Sequence, residues 1–246
     1  MTEKFYSWSS FTYCLNNPIK LVDPDGKKPT EAEAAAMAAH VYGDKTVDIL
    51  IGGWHVSNRD FGITMSTKTG LQSQVYERTV DGKTEFTYAT AGTQDLLDVK
   101  QDVTQEFGLS KQYKESADNA KALSKELGDA ELTFVGHSLG GGEAALNALL
   151  TDKNAITFNA AGLSTITKEI IGGPLLPLKS ESKINAVVML TDPLNAIQSK
   201  VGYQANGAIQ LILPKDLKSI INGHSMDNVL KHYSIDAKKY KKPEGW

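Results

Sequence analysis

Sulfhydryl chemistry is nearly absent from this chain: Cys14 is its one cysteine, so no internal disulfide can form and the fold does not depend on an oxidising compartment. Nor is there a basic excess. Twenty-six lysines and arginines stand against 29 aspartates and glutamates, for a net charge of -3 and a pI near 6.0, which gives no reason to expect a nucleic-acid partner, since phosphate backbones are met by a basic face. No apolar run approaches the roughly 20 residues of a membrane-spanning helix. The N-terminus lacks the charged-then-apolar layout of a signal peptide, so passage out of the producing cell is expected to take another route. Internal repeats and low-complexity segments are missing, and neither a metal nor a cofactor is expected. What is present is 246 residues, 41% of them hydrophobic, enough for one sizeable core.

The chain is organised around Glu131 to Gly142 (ELTFVGHSLGGG), followed directly by Glu143 to Leu150 (EAALNALL). The first part reads as a short buried strand, the last as an Ala/Leu-rich helix, and between them lies a tight turn with Ser138 at its apex. This is G-x-S-x-G in the strand-turn-helix setting of a nucleophile elbow. Glycine at 136 and 140 lets strand and helix backbones pass close together, and the turn strains Ser138 so that its hydroxyl stands clear of the backbone. At the start of the helix, free N–H groups and the positive end of the helix dipole can stabilise an oxyanion. His137 is adjacent in sequence but diverges from Ser138 on so sharp a bend; it is expected to pack beneath the sheet.

Around the elbow the elements alternate. Thr30 with Glu33 forms a capping box for an alanine-rich helix ending near Gly43. Leu71–Arg78 and Thr84–Thr90, split by Asp81-Gly82, read as a β-hairpin. Helical spacing follows over Asp95–Phe107 and again over Gln112–Leu127, up to Gly128. Ala155–Phe158 and Ile184–Leu190 suit central strands. Strands alternating with helices predict an α/β fold with a mostly parallel central sheet and helices on both faces.

A serine hydroxyl needs a base, and an imidazole serves best when a carboxylate fixes its tautomer. On an elbow fold the chain order is Ser, acid, His. Two histidines follow Ser138: His224, just after the Asn222-Gly223 turn and before a helix, and His232, inside that helix. His224 is the better placed base and His232 the alternative. Asp192, immediately beyond the strand ending at Leu190, is the expected acid, with the lysine-flanked Asp216 as runner-up. The N–H groups of Leu139 and Thr93 are the expected oxyanion donors, Thr93 adding its hydroxyl.

Tyr88-Ala89-Thr90-Ala91-Gly92-Thr93, Asp102, Gly136-His137-Ser138-Leu139-Gly140-Gly141, Ile156-Thr157-Phe158-Asn159 and Asp192-Pro193 resemble the class 3 lipases in order and spacing, over about residues 30–235. The resemblance implies an α/β-hydrolase, a Ser138–Asp192–His224 triad, an oxyanion hole at Thr93 and Leu139, and phospholipid or acylglycerol substrates. Ala91 stands where that family usually has an arginine, which bears on local packing more than on chemistry. Residues 1–29 differ in kind. Tyr6-x-Trp8, Asn16-Asn17-Pro18 and Asp23-Pro24-Asp25-Gly26 resemble the closing segment of the Rhs-repeat-associated core of bacterial polymorphic toxins. The expected division is therefore an Rhs-like end over 1–29 and a catalytic domain over 30–246. By that resemblance the domain is an antibacterial effector, stored in the producer cytoplasm and delivered into target cells, with a cognate immunity protein and a secretion-machinery carrier such as a type VI system.

Two stretches could meet lipid. Leu163–Leu178 sets Ile170, Ile171, Leu175 and Leu176 around a Gly-Gly-Pro hinge, as a lid or acyl-chain wall would, or as a core-packed crossover would. The lysine- and tyrosine-bearing C-terminal segment could lean on anionic lipid as a peripheral membrane contact or simply be solvated. Two other functional classes share the elbow: a hydrolase-fold adaptor without turnover, and a thioesterase or peptidase.

Overall fold

The computed structural model describes residues 29–43, 50–92, 103–164, 167, 171, 181–200 and 204–240, with the side chains of all but 103–110 and 218–219. Helix α1 (Glu31–His40) begins at the expected capping box: Thr30 Oγ1 accepts from Glu33 N–H at 3.3 Å, and Glu33 Oε2 accepts from Thr30 N–H at 2.8 Å. Its alanines are small enough for the helix to be sunk into the protein, and Ala34 through Ala38 are wholly buried. A two-residue strand β1 (His55–Val56) leads to the hairpin β2 (Ser73–Val80) and β3 (Lys83–Thr90). Asp81 and Gly82 turn it with φ of 50° and 75°, the left-handed pair a two-residue hairpin loop requires.

Helix α2 (Val103–Leu127) is one 25-residue helix where the spacing predicts two. Gly108 costs only about 1 kcal/mol inside a helix, too little to end one whose later turns bury Ala117, Ala120 and Leu123 completely. The start of the earlier predicted helix lies outside the described residues. Then come β4 (Glu131–His137), α3 (Leu139–Thr151), β5 (Asn154–Phe158), a 3-10 turn at Glu181–Lys183, β6 (Ile184–Met189), α4 (Pro193–Lys200), β7 (Ala208–Ile212), α5 (Leu217–Ile221), α6 (Met226–His232) and a final 3-10 turn at Ala237–Tyr240.

The seven strands lie side by side in chain order, antiparallel from β1 to β3 and parallel from β3 to β7. When successive parallel strands always step the same way with right-handed crossovers, the connecting helices all fall on one face. The packing shows this division. On one face α2 and α3 bury Val75, Phe86, Tyr88, Leu132 and Phe134. The other is covered by the beginning and end of the described chain, α1 and α6, over Tyr76, Val135, Phe158, Val187 and Met189. β4 is central and buried on both faces, so its alternating side chains feed both cores. The C-terminal ends of the parallel strands therefore converge at one edge, where Gly92, Ser138, Asn159 and Asp192 each follow a strand.

Candidate active site

Ser138 links β4 to α3 with φ 59° and ψ -124°, a conformation that costs a non-glycine residue about 1–3 kcal/mol. Steric closeness holds it there. A Cβ on Gly136 would come within 2.1 Å of Gly140 O, and one on Gly140 within 2.2 Å of Thr90 O, so both glycines of the motif are required by backbone approach. The Thr90 hydroxyl donates to Gly140 O at 2.7 Å, Ser138 N–H to Phe158 O at 3.0 Å, and Ala161 N–H to Ser138 O at 2.9 Å. Two neighbouring segments, the ends of β3 and β5, thus grip the turn while the side chain of Ser138 makes no cap hydrogen bond with α3. The hydroxyl is free for other chemistry.

That hydroxyl meets His224: Oγ to Nε2 is 2.7 Å, and Nδ1 to Asp192 Oδ1 is 2.8 Å. Asp192 is fully buried in its side chain, His224 only partly. Burial alone would raise the Asp192 carboxyl, but hydrogen bonds from His224, Asn195 and Leu194 N–H outweigh it and hold the group below its ordinary range. The structure therefore brings Ser138, His224 and Asp192 together in hydrogen-bonded sequence, an order suited to moving a proton off a serine. His232 is elsewhere, half-buried on α6 with Nδ1 against Leu213 O. Asp216 is exposed, 3.6 Å from Lys231 Nζ.

The loop carrying His224 is fixed by groups the sequence pattern did not single out for that task. Asn159, itself at φ 44°, donates through Nδ2 to Gly223 O at 3.0 Å and His224 O at 3.2 Å, while its Oδ1 accepts from Met189 N–H at 2.8 Å. His137 reaches the same carbonyl, Nε2 to His224 O at 2.7 Å. With that nitrogen as donor, Nδ1 accepts from the Tyr42 hydroxyl at 3.1 Å, and the Tyr42 oxygen accepts from Gly92 N–H at 2.7 Å. The expectation that His137 packs under the sheet describes its place but misses this part. Gly223 is needed as well, since a Cβ there would lie 2.4 Å from Thr191. The signals available in the sequence were indirect: an asparagine directly after β5 and an Asn-Gly before the histidine.

Of the expected oxyanion donors, Leu139 opens α3, where N–H groups lack intrahelical partners. A Cβ on Gly92 would stand 3.1 Å from Leu139 N, so glycine there leaves the donor uncovered. Thr93, and with it Asp102, lies outside the described residues, as do Ile170, Leu175 and Leu176; Ile171 is half-buried against the α2–α3 core. One turn beyond Ser138, Glu143 is wholly buried with neither carboxyl oxygen in a hydrogen bond, and burial drives its pKa well above the ordinary value. Among the described residues no group of three or more His, Cys, Asp or Glu could hold a metal ion, and no helix is long and apolar enough to cross a membrane.

Fold and site together define an α/β-hydrolase of the lipase type. Residues 33–234 match the phospholipase-like family described as the Tle-like phospholipase domain, and the chain belongs to that family. An extracellular phospholipase A1 of Serratia liquefaciens is 33% identical over 132 residues, which is 53% of this chain and 40% of that protein; the match spans well under two thirds of the relative. Among solved structures, a deletion mutant of the Rhizomucor miehei lipase propeptide complex is similar, with a TM-score of 0.53 at 10% identity over 84% of this chain and 77% of that one. A triacylglycerol lipase from Penicillium expansum gives 0.49 at 15% identity, over 76% and 79%. The structural likenesses concern the fold.

Proposed function

We propose that this chain is a serine-dependent phospholipase in which Ser138 is the nucleophile, His224 the general base and acid, and Asp192 the group that orients and stabilises the imidazole. The observation that carries the reading is the unbroken pair of short contacts, 2.7 Å from Ser138 Oγ to His224 Nε2 and 2.8 Å on to Asp192. As Oγ bonds to an ester carbonyl carbon, its proton passes to Nε2. Charge gathers on the carbonyl oxygen at the start of α3, where Leu139 N–H supplies a donor and Thr93, by the resemblance to the class 3 lipases, supplies the second. Collapse of that intermediate breaks the bond to the glycerol oxygen, which takes the proton from Nε2 and departs as lysophospholipid. Water then gives a proton to His224 and attacks the acyl-serine; Oγ recovers the proton and fatty acid leaves.

The Rhs-like residues 1–29, of which 1–28 lie outside the described residues, support a further reading: the domain is an antibacterial effector directed at membrane phospholipids, kept harmless in its producer by an immunity protein and exported on secretion machinery. Mass-spectrometric analysis of phospholipid vesicles tests the chemistry. Wild type is expected to release fatty acid and lysophospholipid and Ser138→Ala neither; equal release by both proteins would overturn it. For the effector reading, wild type but not Ser138→Ala is expected to arrest bacterial growth when expressed without an immunity protein. Normal growth with active enzyme present would refute that part alone.

A further inference from the structure

The parallel sheet ends at β7, and its pleat points Ile212 into the core while Ile209 and Leu211 face away. Both are exposed, as are Leu190 and Leu213 at the strand ends, and Leu190 N–H bonds Ile212 O, which seats Leu190 beside Leu213. The stripe does not stop there. One short loop further on, α5 presents Leu217 at 78% exposure and Ile221 at 86%, with Ile220 half exposed between them. Gly223 then packs against Thr191, closing the loop back onto the end of β6 and delivering His224 to Asp192. The apolar surface and the Ser138–His224 pair thus share one edge of the sheet. Soluble proteins seldom leave so many large aliphatic side chains together in water without a use for them.

Charge indicates the occupant. Residues 208–240 carry five lysines and three aspartates, in a chain whose net charge is -3, and Asp216 is offset by Lys231. A segment with this positive bias that also bears exposed aliphatic side chains suits an anionic lipid surface, where lysines attract from a distance and the apolar groups enter the acyl boundary. We propose that the β7 edge and α5 form the membrane-docking face of this protein, inserting Leu213, Leu217 and Ile221 into an anionic phospholipid bilayer so that the active-site edge lies in the headgroup plane. This rests on the phospholipase reading for its purpose, although docking can be measured without turnover.

The test uses the full chain with Ser138→Ala, to prevent hydrolysis, and co-sedimentation with vesicles of equal phosphatidylglycerol and phosphatidylcholine or of phosphatidylcholine alone. Binding is expected to be tighter to the anionic vesicles, and Leu217→Ser with Ile221→Ser is expected to weaken it by about 10-fold or more, since both substitutions remove aliphatic surface that would leave water on docking. In the wild-type background the same pair should leave hydrolysis of p-nitrophenyl butyrate within about twofold, as neither residue touches the site. Unchanged vesicle binding by the double variant overturns the proposal. So does loss of a dimer on size exclusion with vesicle affinity intact, which would assign the face to a second copy. If the patch governs vesicle binding but wild type cleaves neither lipid nor soluble ester, the docking face stands and the phospholipase reading falls.

Discussion

Ser138 and His224 sit 2.7 Å apart but are held by different physics. The serine is fixed chiefly by exclusion: two glycines let backbone segments crowd a strained turn, to which the Thr90 hydroxyl adds a hydrogen bond at Gly140 O. The histidine stands in a loop between two short helices, and its position comes from polar contacts converging on its own carbonyl and its neighbour's, from Asn159 after β5 and His137 at the end of β4. A steric device fails abruptly when an atom is added. A hydrogen-bonded one degrades in steps as donors are removed.

The largest effect falls where the two halves meet. Asp192→Asn keeps the shape of the group but stops it from favouring the Nδ1–H tautomer, and turnover is expected to drop about 10⁴-fold with little change in KM; a loss under tenfold in ester-hydrolysis kinetics would separate Asp192 from the mechanism. On the steric side, Gly140→Ala drives a Cβ to 2.2 Å from Thr90 O and should lower stability by about 3 kcal/mol or more, read from urea unfolding. On the polar side, Asn159→Ala removes both Nδ2 hydrogen bonds to the His224 loop, leaving that of His137, and orphans Met189 N–H; about 1–3 kcal/mol of stability and a 10- to 100-fold loss in kcat are expected. Should Asn159→Ala prove as catastrophic to folding as Gly140→Ala, the contrast between the two halves would dissolve.

Legibility followed the same divide. Close approach of backbones leaves its mark as glycine at set spacing, so the elbow, the hairpin at Asp81-Gly82 and the capping box at Thr30 could all be read in the residues. The parallel sheet could too, because buried strands are continuous apolar runs. What escaped were parts whose meaning depends on distant segments. Asn159 and Tyr42 are ordinary residues until residues 65 and 95 positions away arrive beside them. β7 escaped because an edge strand with exposed Ile209 and Leu211 has no clean alternation. The single helix α2 escaped because local propensity at Gly108 points the wrong way.

Glu143 offers a smaller and sharper probe of the crowded side. Its carboxyl is neutral in the folded protein at pH values where it ionises in the unfolded chain, because its folded pKa is raised. Its contribution to stability is therefore complete below the ordinary carboxylate range and declines as pH rises above it. Glu143→Gln removes that dependence. Thermal melts should show the variant more stable than wild type at pH 8, by about 2–4 °C for each kcal/mol relieved, with the gain gone at pH 4. An identical difference at both pH values would mean that the carboxyl does not titrate as its burial requires.

The central claim, that the Ser138 hydroxyl is activated by His224, is tested most directly by intact-mass measurement after exposure to a fluorophosphonate. Wild type should gain a single adduct that maps to Ser138, while His224→Asn, folded and otherwise unchanged, should label at least about 10³-fold more slowly. Equal labelling rates for the two proteins, or an adduct on any other residue, would contradict the account.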